Sequence, residues 1–120
     1  MTRAGLRVLV VDDHEGFRAA ARSLLDAAGF QVVGEAADGP DAVAEAQRLH
    51  PDVVLLDIQL PGLDGFGVAY AVARQHPRPQ VVLVSSHDAG TYGSRLAEAP
   101  VAGFVAKSEL SGAMLARLLE

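Results

Sequence analysis

The sequence has no cysteine, no tryptophan, a single lysine and few aromatic residues. Lack of cysteine excludes a disulfide framework, a thiolate metal site and a thiol nucleophile. It also fits a reducing compartment. No apolar run reaches the roughly 18 residues of a membrane-spanning helix, and residues 1–5 lack the apolar core of a secretory signal, so the expectation is a soluble, cytoplasmic chain with no membrane partner. Basic residues are sparse as well. Nine of the ten are arginines spread singly along the chain, the tenth is Lys107, and the net charge is −5. Such a surface argues against direct nucleic-acid binding. There is no linker and no low-complexity tract.

What is present suits one domain spanning 1–120. The chain has 120 residues, half of them hydrophobic, enough apolar mass for one core. Leu6-Arg7-Val8-Leu9-Val10-Val11 reads as a strand. Phe17, Ala20, Ala21, Leu24, Leu25 and Ala28 then recur with helical spacing up to Gly29. Gln31 to Ala36 is a weaker strand whose glycine and polar flanks suit a sheet edge. Pro40 opens a second helix bearing Val43, Ala46 and Leu49. Val53-Val54-Leu55-Leu56 and Val81-Val82-Leu83-Val84 are unbroken apolar runs, expected of parallel strands covered on both faces. Phe66, Ala69, Tyr70 and Ala73 mark a third helix between them. A fourth helix is expected over 89–99, weakened by Gly90 and Gly93, then a short strand over 102–106 and a last helix over 110–119. The repeating βα pattern predicts a flavodoxin-like (βα)5 α/β fold, a doubly wound parallel five-stranded sheet in the order 2-1-3-4-5.

In such sheets ligands bind at the carboxyl ends of the strands, near the switch point of the winding. Strand 1 ends in Asp12-Asp13, strand 3 in Asp57, strand 4 in Ser85-Ser86 and strand 5 in Lys107. Three carboxylates crowded on one rim call for a cation, and Mg²⁺ with its oxygen ligands is the natural occupant. A carboxylate nucleophile beside Mg²⁺, an ammonium and a hydroxyl is an apparatus for phosphoryl transfer, where catalysis is mostly positioning and charge stabilisation. Taken singly, each residue has a plainer explanation. Asp57 could be a helix cap, Asp12-Asp13 turn residues, Lys107 a solvated side chain, Ser85 a cap of the fourth helix and Phe104 plain core. The four histidines lack metal-ligand spacing. His14, His50 and His76 read as surface residues, and His87, two positions beyond Ser85, as a residue near the site entrance.

Taken together, the motifs carry a resemblance. Val10-Val11-Asp12-Asp13-His14, the long run Leu55-Leu56-Asp57-Ile58-Gln59-Leu60-Pro61-Gly62-Leu63-Asp64-Gly65, Val81-Val82-Leu83-Val84-Ser85 and Gly103-Phe104-Val105-Ala106-Lys107 resemble, in order, the receiver domain of two-component response regulators. The resemblance implies that Asp57 is the phosphoacceptor. It implies a metal site of Asp12, Asp13, Asp57 and the Gln59 backbone carbonyl, with Asp13 binding directly and Asp12 largely through water. Lys107 would contact the phosphoryl group, Ser85 would swing to hydrogen-bond it, and Phe104 would turn inward behind that motion. The implied donor is a sensor histidine kinase or phosphotransfer protein, and the implied target is a downstream protein or an output domain outside this sequence. The implied chemistry is self-catalysed phosphorylation and dephosphorylation, with no turnover of an external substrate. Two features depart from the pattern: Ser108 follows the lysine where proline is frequent, and Ser86 follows the switch hydroxyl where alanine is common.

Three rival readings have their own signatures. A haloacid-dehalogenase-type enzyme also uses a strand-end aspartate, but its second aspartate, two residues on, is Gln59 here. A receiver-like module that is never phosphorylated usually lacks an acidic residue or the lysine, and this chain keeps the set. The receiver half of a DNA-binding regulator would look the same as a stand-alone domain.

Overall fold

Strands β1 (Arg7–Val11), β3 (Val53–Asp57) and β4 (Gln80–Ser85) are buried almost from end to end, which is why their sequences show no alternation. With β2 (Gln31–Ala36) and β5 (Gly103–Ala106) they form one parallel sheet in the order β2-β1-β3-β4-β5, the order expected from the βα pattern. The computed structural model describes residues 5–119, so residues 1–4 and 120 of the expected domain lie outside the described residues. The helices are α1 (Glu15–Ala27), α2 (Gly39–Leu49), α3 (Gly65–Val72), α4 (Ser94–Glu98) and α5 (Gly112–Leu118). Among the described residues no helix is long and apolar enough to cross a membrane.

Because strand side chains alternate, the two faces of the sheet make two cores. Leu9, Val11, Val54, Leu56 and Leu83 pack on one face with Ala42 and Ala46 of α2 and Phe66, Ala69 and Val72 of α3. Val8, Val10, Val53, Leu55, Val82 and Val84 pack on the other with Ala21 and Leu25 of α1 and Leu115 of α5. Each such Leu or Val, removed from water, contributes roughly 1.5–3 kcal/mol. These layers hold the carboxyl ends of β1, β3 and β4 side by side, with Val11 paired to Leu56 and Asp57 paired to Val84.

Short polar residues cap α2, α3 and α5. Asp38 accepts from the Asp41 N–H at 2.8 Å and Asp64 from the Gly67 N–H at 2.9 Å, satisfying otherwise orphaned donors at the first turns of α2 and α3. Two helices differ from the expectation. The single helix over 89–99 is instead a 3-10 turn (Ala89–Thr91), a break at Gly93 with φ +55°, and the five-residue α4. A backbone in that region strains any residue with a Cβ, so Gly93 permits the break. The last helix begins at Gly112, capped by Ser111, because Lys107–Glu109 form a 3-10 turn after β5.

Candidate functional site

β1 delivers Asp12 to the rim and the chain turns at once into α1. Asp12 is completely buried. Its N–H donates to the Ala36 carbonyl at 3.0 Å, and its Oδ1 accepts from the His14 N–H at 2.8 Å. Arg18, one turn into α1, donates Nη1 to the Asp12 carbonyl at 2.7 Å and Nε to Glu35 of β2 at 2.9 Å. The end of β1 is thereby tied to both α1 and β2. Glu35 takes a second guanidinium, Arg22, and the two arginines hold its carboxyl below the usual carboxylate range.

Asp57 closes β3 and is also buried. Its Oδ1 accepts from the Gln59 N–H at 3.2 Å. The chain then loops back so that the Gly65 N–H reaches the Ile58 carbonyl at 2.8 Å. A Cβ at Gly65 would lie 2.5 Å from the Asp57 carbonyl oxygen, so only glycine lets α3 start this close to the acid. Burial, and then the neighbouring Asp12 charge, push the Asp57 carboxyl above the usual range, while Lys107 and the Gln59 N–H act against that rise.

Lys107 leaves β5 and lays its Nζ 2.6 Å from Asp12 Oδ2, 3.5 Å from Asp57 Oδ2 and 4.5 Å from the centre of the Phe17 ring. Asp13 is the exposed member of the acid group. His14 Nδ1 lies 3.1 Å from Asp12 Oδ1 and 3.1 Å from Asp13 Oδ1. His14 is exposed, as its sequence reading has it, but its ring belongs to the acid cluster, a role its spacing alone did not reveal. One donor atom each from Asp12, Asp13, His14 and Asp57 lie within 4.8 Å of one another. Asp12 Oδ2 is buried and faces the Lys107 ammonium, which already supplies a positive charge at that oxygen. Three carboxylates form a hard-oxygen donor set that fits Mg²⁺.

Ser85 ends β4 fully buried, its Oγ 2.5 Å from the Tyr92 hydroxyl and accepting from the His87 N–H at 3.0 Å. His87 thus joins the site through its backbone N–H, and its side chain is exposed. Phe104 of β5 is partly buried against the core and stands 6.3 Å from the Tyr92 ring. The structure therefore brings Asp12, Asp13, Asp57 and Lys107 together, with Gln59 attached through its N–H and Ser85 and Phe104 gathered around Tyr92. Sequence reasoning missed Tyr92, Arg18 and Phe17. Tyr92 lay inside a presumed helix, whose spacing gave it no special direction. The only available signal for Arg18 and Phe17 was their place in the first turn of the helix after Asp12-Asp13.

A family model described as the response regulator receiver domain matches residues 8–119. The response regulator GacA of Pseudomonas viridiflava is 40% identical over 116 residues, which are 96% of this chain and 52% of that protein. This chain spans about half the length of the GacA proteins it matches. Among solved structures, the signal receiver domain of the response regulator NarL from Mycobacterium tuberculosis is similar with a TM-score of 0.81 at 37% identity, over 97% of this chain and 98% of that one. The receiver domain of the sensor histidine kinase PA1611 from Pseudomonas aeruginosa PAO1, which has a magnesium ion coordinated in its active-site cleft, is similar with a TM-score of 0.81 at 27% identity, over 97% of this chain and 95% of that one.

Proposed function

The chain belongs to the response regulator receiver domain family, and from that premise we propose that it is the phosphoacceptor switch of a two-component system, with Asp57 as the acceptor and the whole of 1–120 as one receiver domain. The observation that carries the assignment of Asp57 is its pairing with buried Asp12 across Lys107 at adjoining strand ends. An Asp57 carboxylate oxygen attacks the phosphorus of a phosphohistidine on a sensor kinase or phosphotransfer protein. The new O–P bond forms as the P–N bond breaks, and the electron pair stays with the departing imidazole, which picks up a proton. The raised proton affinity of Asp57 makes its ionised form a more basic and better nucleophile. Lys107 offers a compact ammonium to a phosphoryl oxygen, and its short flexible reach suits that better than a planar guanidinium.

Asp12, Asp13, Asp57 and the Gln59 backbone carbonyl would hold Mg²⁺, which when bound neutralises charge on the transferring phosphoryl group. Ser85 then donates its hydroxyl to a phosphoryl oxygen and Phe104 follows, altering the face made by β4, α4, β5 and α5. That face acts on a partner protein or an output domain. The acidic balance supports a protein partner for this domain rather than nucleic acid or an anionic membrane surface. Water attack on the phosphorus of the acyl phosphate breaks the O–P bond to Asp57, releases inorganic phosphate and returns the carboxylate, so the chemistry is a self-limited cycle on the protein itself.

The test is intact mass after incubation with acetyl phosphate and Mg²⁺. One phosphoryl group on the wild type and none on Asp57→Asn is the expected result. Equal labelling of both proteins would remove Asp57 from the mechanism.

A further inference from the structure

The hydroxyl that must reach the phosphoryl group is already engaged. Ser85 Oγ accepts from the His87 N–H at 3.0 Å and lies 2.5 Å from the Tyr92 hydroxyl. Tyr92 is held by more than that bond. Its ring meets Phe66 of α3 edge-on at 5.7 Å and lies tilted against Phe104 of β5 at 6.3 Å. The turn Ala89–Thr91 and the positive φ of Gly93 bring it there, because a continuous helix would carry residue 92 on a different course. One side chain thus touches the buried serine, the β5 aromatic and α3 together.

We propose that Tyr92 is a positioning residue: it holds Ser85 in the unphosphorylated arrangement and competes with the phosphoryl group for the serine hydroxyl. The inference rests on the phosphoacceptor reading of Asp57. A phosphoryl oxygen only accepts hydrogen bonds, so Ser85 must turn its proton to it, and the swing of Oγ toward Asp57 loosens the contact with Tyr92 whichever of the two hydroxyls donates in it. Phosphorylation then frees the tyrosine hydroxyl, and the ring, packed on Phe104, shifts with it. The hydroxyl in this relay comes from the segment after β4, since Phe104 carries none. A ligand shifts such a two-state element only by its differential affinity, so removing the competing hydroxyl should raise affinity for anything that mimics the phosphoryl group.

The probe is beryllium trifluoride with Mg²⁺, which builds a tetrahedral phosphoryl mimic on a carboxylate, titrated while the His87 amide is followed by NMR. Tyr92→Phe keeps the ring and removes only the hydroxyl. It should bind the mimic roughly two- to tenfold more tightly than the wild type, the range one hydrogen bond carries. In a Ser85→Ala background the same substitution should change nothing, a result that a purely structural role for Tyr92 would not give. In the wild type, the Tyr92 ring resonances should move when the adduct forms, a readout that needs no variant. Unchanged or weaker binding by Tyr92→Phe overturns the inference, as does an equal gain without Ser85 or a Tyr92 ring that does not respond. A wild type that takes neither the mimic nor a phosphoryl group from acetyl phosphate overturns the phosphoacceptor reading itself, and the inference with it.

Discussion

Lys107 Nζ lies 2.6 Å from Asp12 Oδ2, closer than to the proposed acceptor Asp57 at 3.5 Å. That oxygen of Asp12 is buried, and the lysine ammonium is the partner it has there. The ammonium is therefore the resident counter-charge of Asp12, and in the proposed reaction it would divide its attraction between that carboxylate and an incoming phosphoryl oxygen. The face of the Phe17 ring at 4.5 Å steadies it from the α1 side.

Breaking the Asp12–Lys107 pair from one side leaves a buried charge alone. Lys107→Ala should lower stability by about 2 kcal/mol, less than the 3–5 of a fully buried pair because the lysine keeps some solvent contact. Adding Asp12→Asn to that variant should recover most of the loss. Urea unfolding of the four proteins checks this, and full additivity would show that the pair is not coupled. Lys107→Arg should keep the fold but not the phosphorylation-dependent change in amide exchange over 85–106, because a planar guanidinium does not fit the place of a point charge.

Asp57 gives a pH dependence of definite sign. Its carboxyl is raised in the folded state, so the folded protein holds the proton more tightly than the unfolded chain. Stability is then greatest below the ordinary carboxylate pKa and falls as pH climbs through the raised folded value. Asp57→Asn removes that loss. The variant should be more stable than the wild type at neutral pH, on the order of 1 kcal/mol, with the gap closing on acidification toward about pH 4. Unfolding curves across pH 4–8 check it. A wild type that gains on the variant as pH rises would reverse the sign and refute the argument.

Much of this was legible in the sequence because buried parallel strands write themselves as unbroken apolar runs, and the acids stand directly at the ends of those runs. Asp12, Asp13 and Asp57 follow from that, whereas the sheet order rests on the repeating βα pattern and Lys107 on its place at the end of the short last strand. The 89–99 segment was legible only in part. Gly90 and Gly93 signalled a weak helix, but whether weakness becomes a break depends on the φ that Gly93 adopts, a tertiary outcome. Tyr92 is the consequence: its contacts with Ser85, Phe66 and Phe104 exist because of the break. His14 failed for another reason. Ligand spacing describes regular helices and strands, whereas His14 reaches the acids by following Asp12-Asp13 into a turn.

Metal binding should need Asp13 more than Asp12. Both oxygens of Asp12 already have partners, Oδ1 the His14 N–H and Oδ2 the Lys107 ammonium, whereas Asp13 is open to solvent. Asp13→Asn should weaken Mg²⁺ binding at least about tenfold, since even outer-shell changes at metal sites cost that much. Amide shifts in an NMR titration are the readout, because the sequence has no tryptophan. Mg²⁺ should also raise the melting temperature of the wild type, and a chelator should reverse the rise. Wild-type affinity in Asp13→Asn would show the ligand assignment to be wrong.

The segment between Ser85 and Phe104 should already be the loosest part of the sheet's flank before any phosphorylation. α4 has five residues, against thirteen in α1. Its entry is held by bonds of 3.3 Å from the Arg95 N–H to Tyr92 and from the Leu96 N–H to Gly93; Leu96 is its one apolar side chain packed on the core, and Arg95 lies over the Phe66 ring at 4.3 Å and pairs with Asp64 at 3.1 Å. A helix that short has no cooperative stability of its own, so its order depends on that leucine, on Tyr92 and on the partly exposed Arg95 contacts with α3. Amides over 89–99 should therefore exchange at least roughly tenfold faster than those of Glu15–Ala27, and Leu96→Ala should widen the difference. A poorly anchored segment is what a modest signal can move: a hydrogen bond to a charged acceptor contributes roughly 1.5–3 kcal/mol, enough to change the population of a weak helix but not of a rigid one. Hydrogen exchange on the unphosphorylated protein decides between the two. Protection over 89–99 equal to that of α1 would mean that packing alone fixes the segment, and the moving part of the switch would have to be sought in another element.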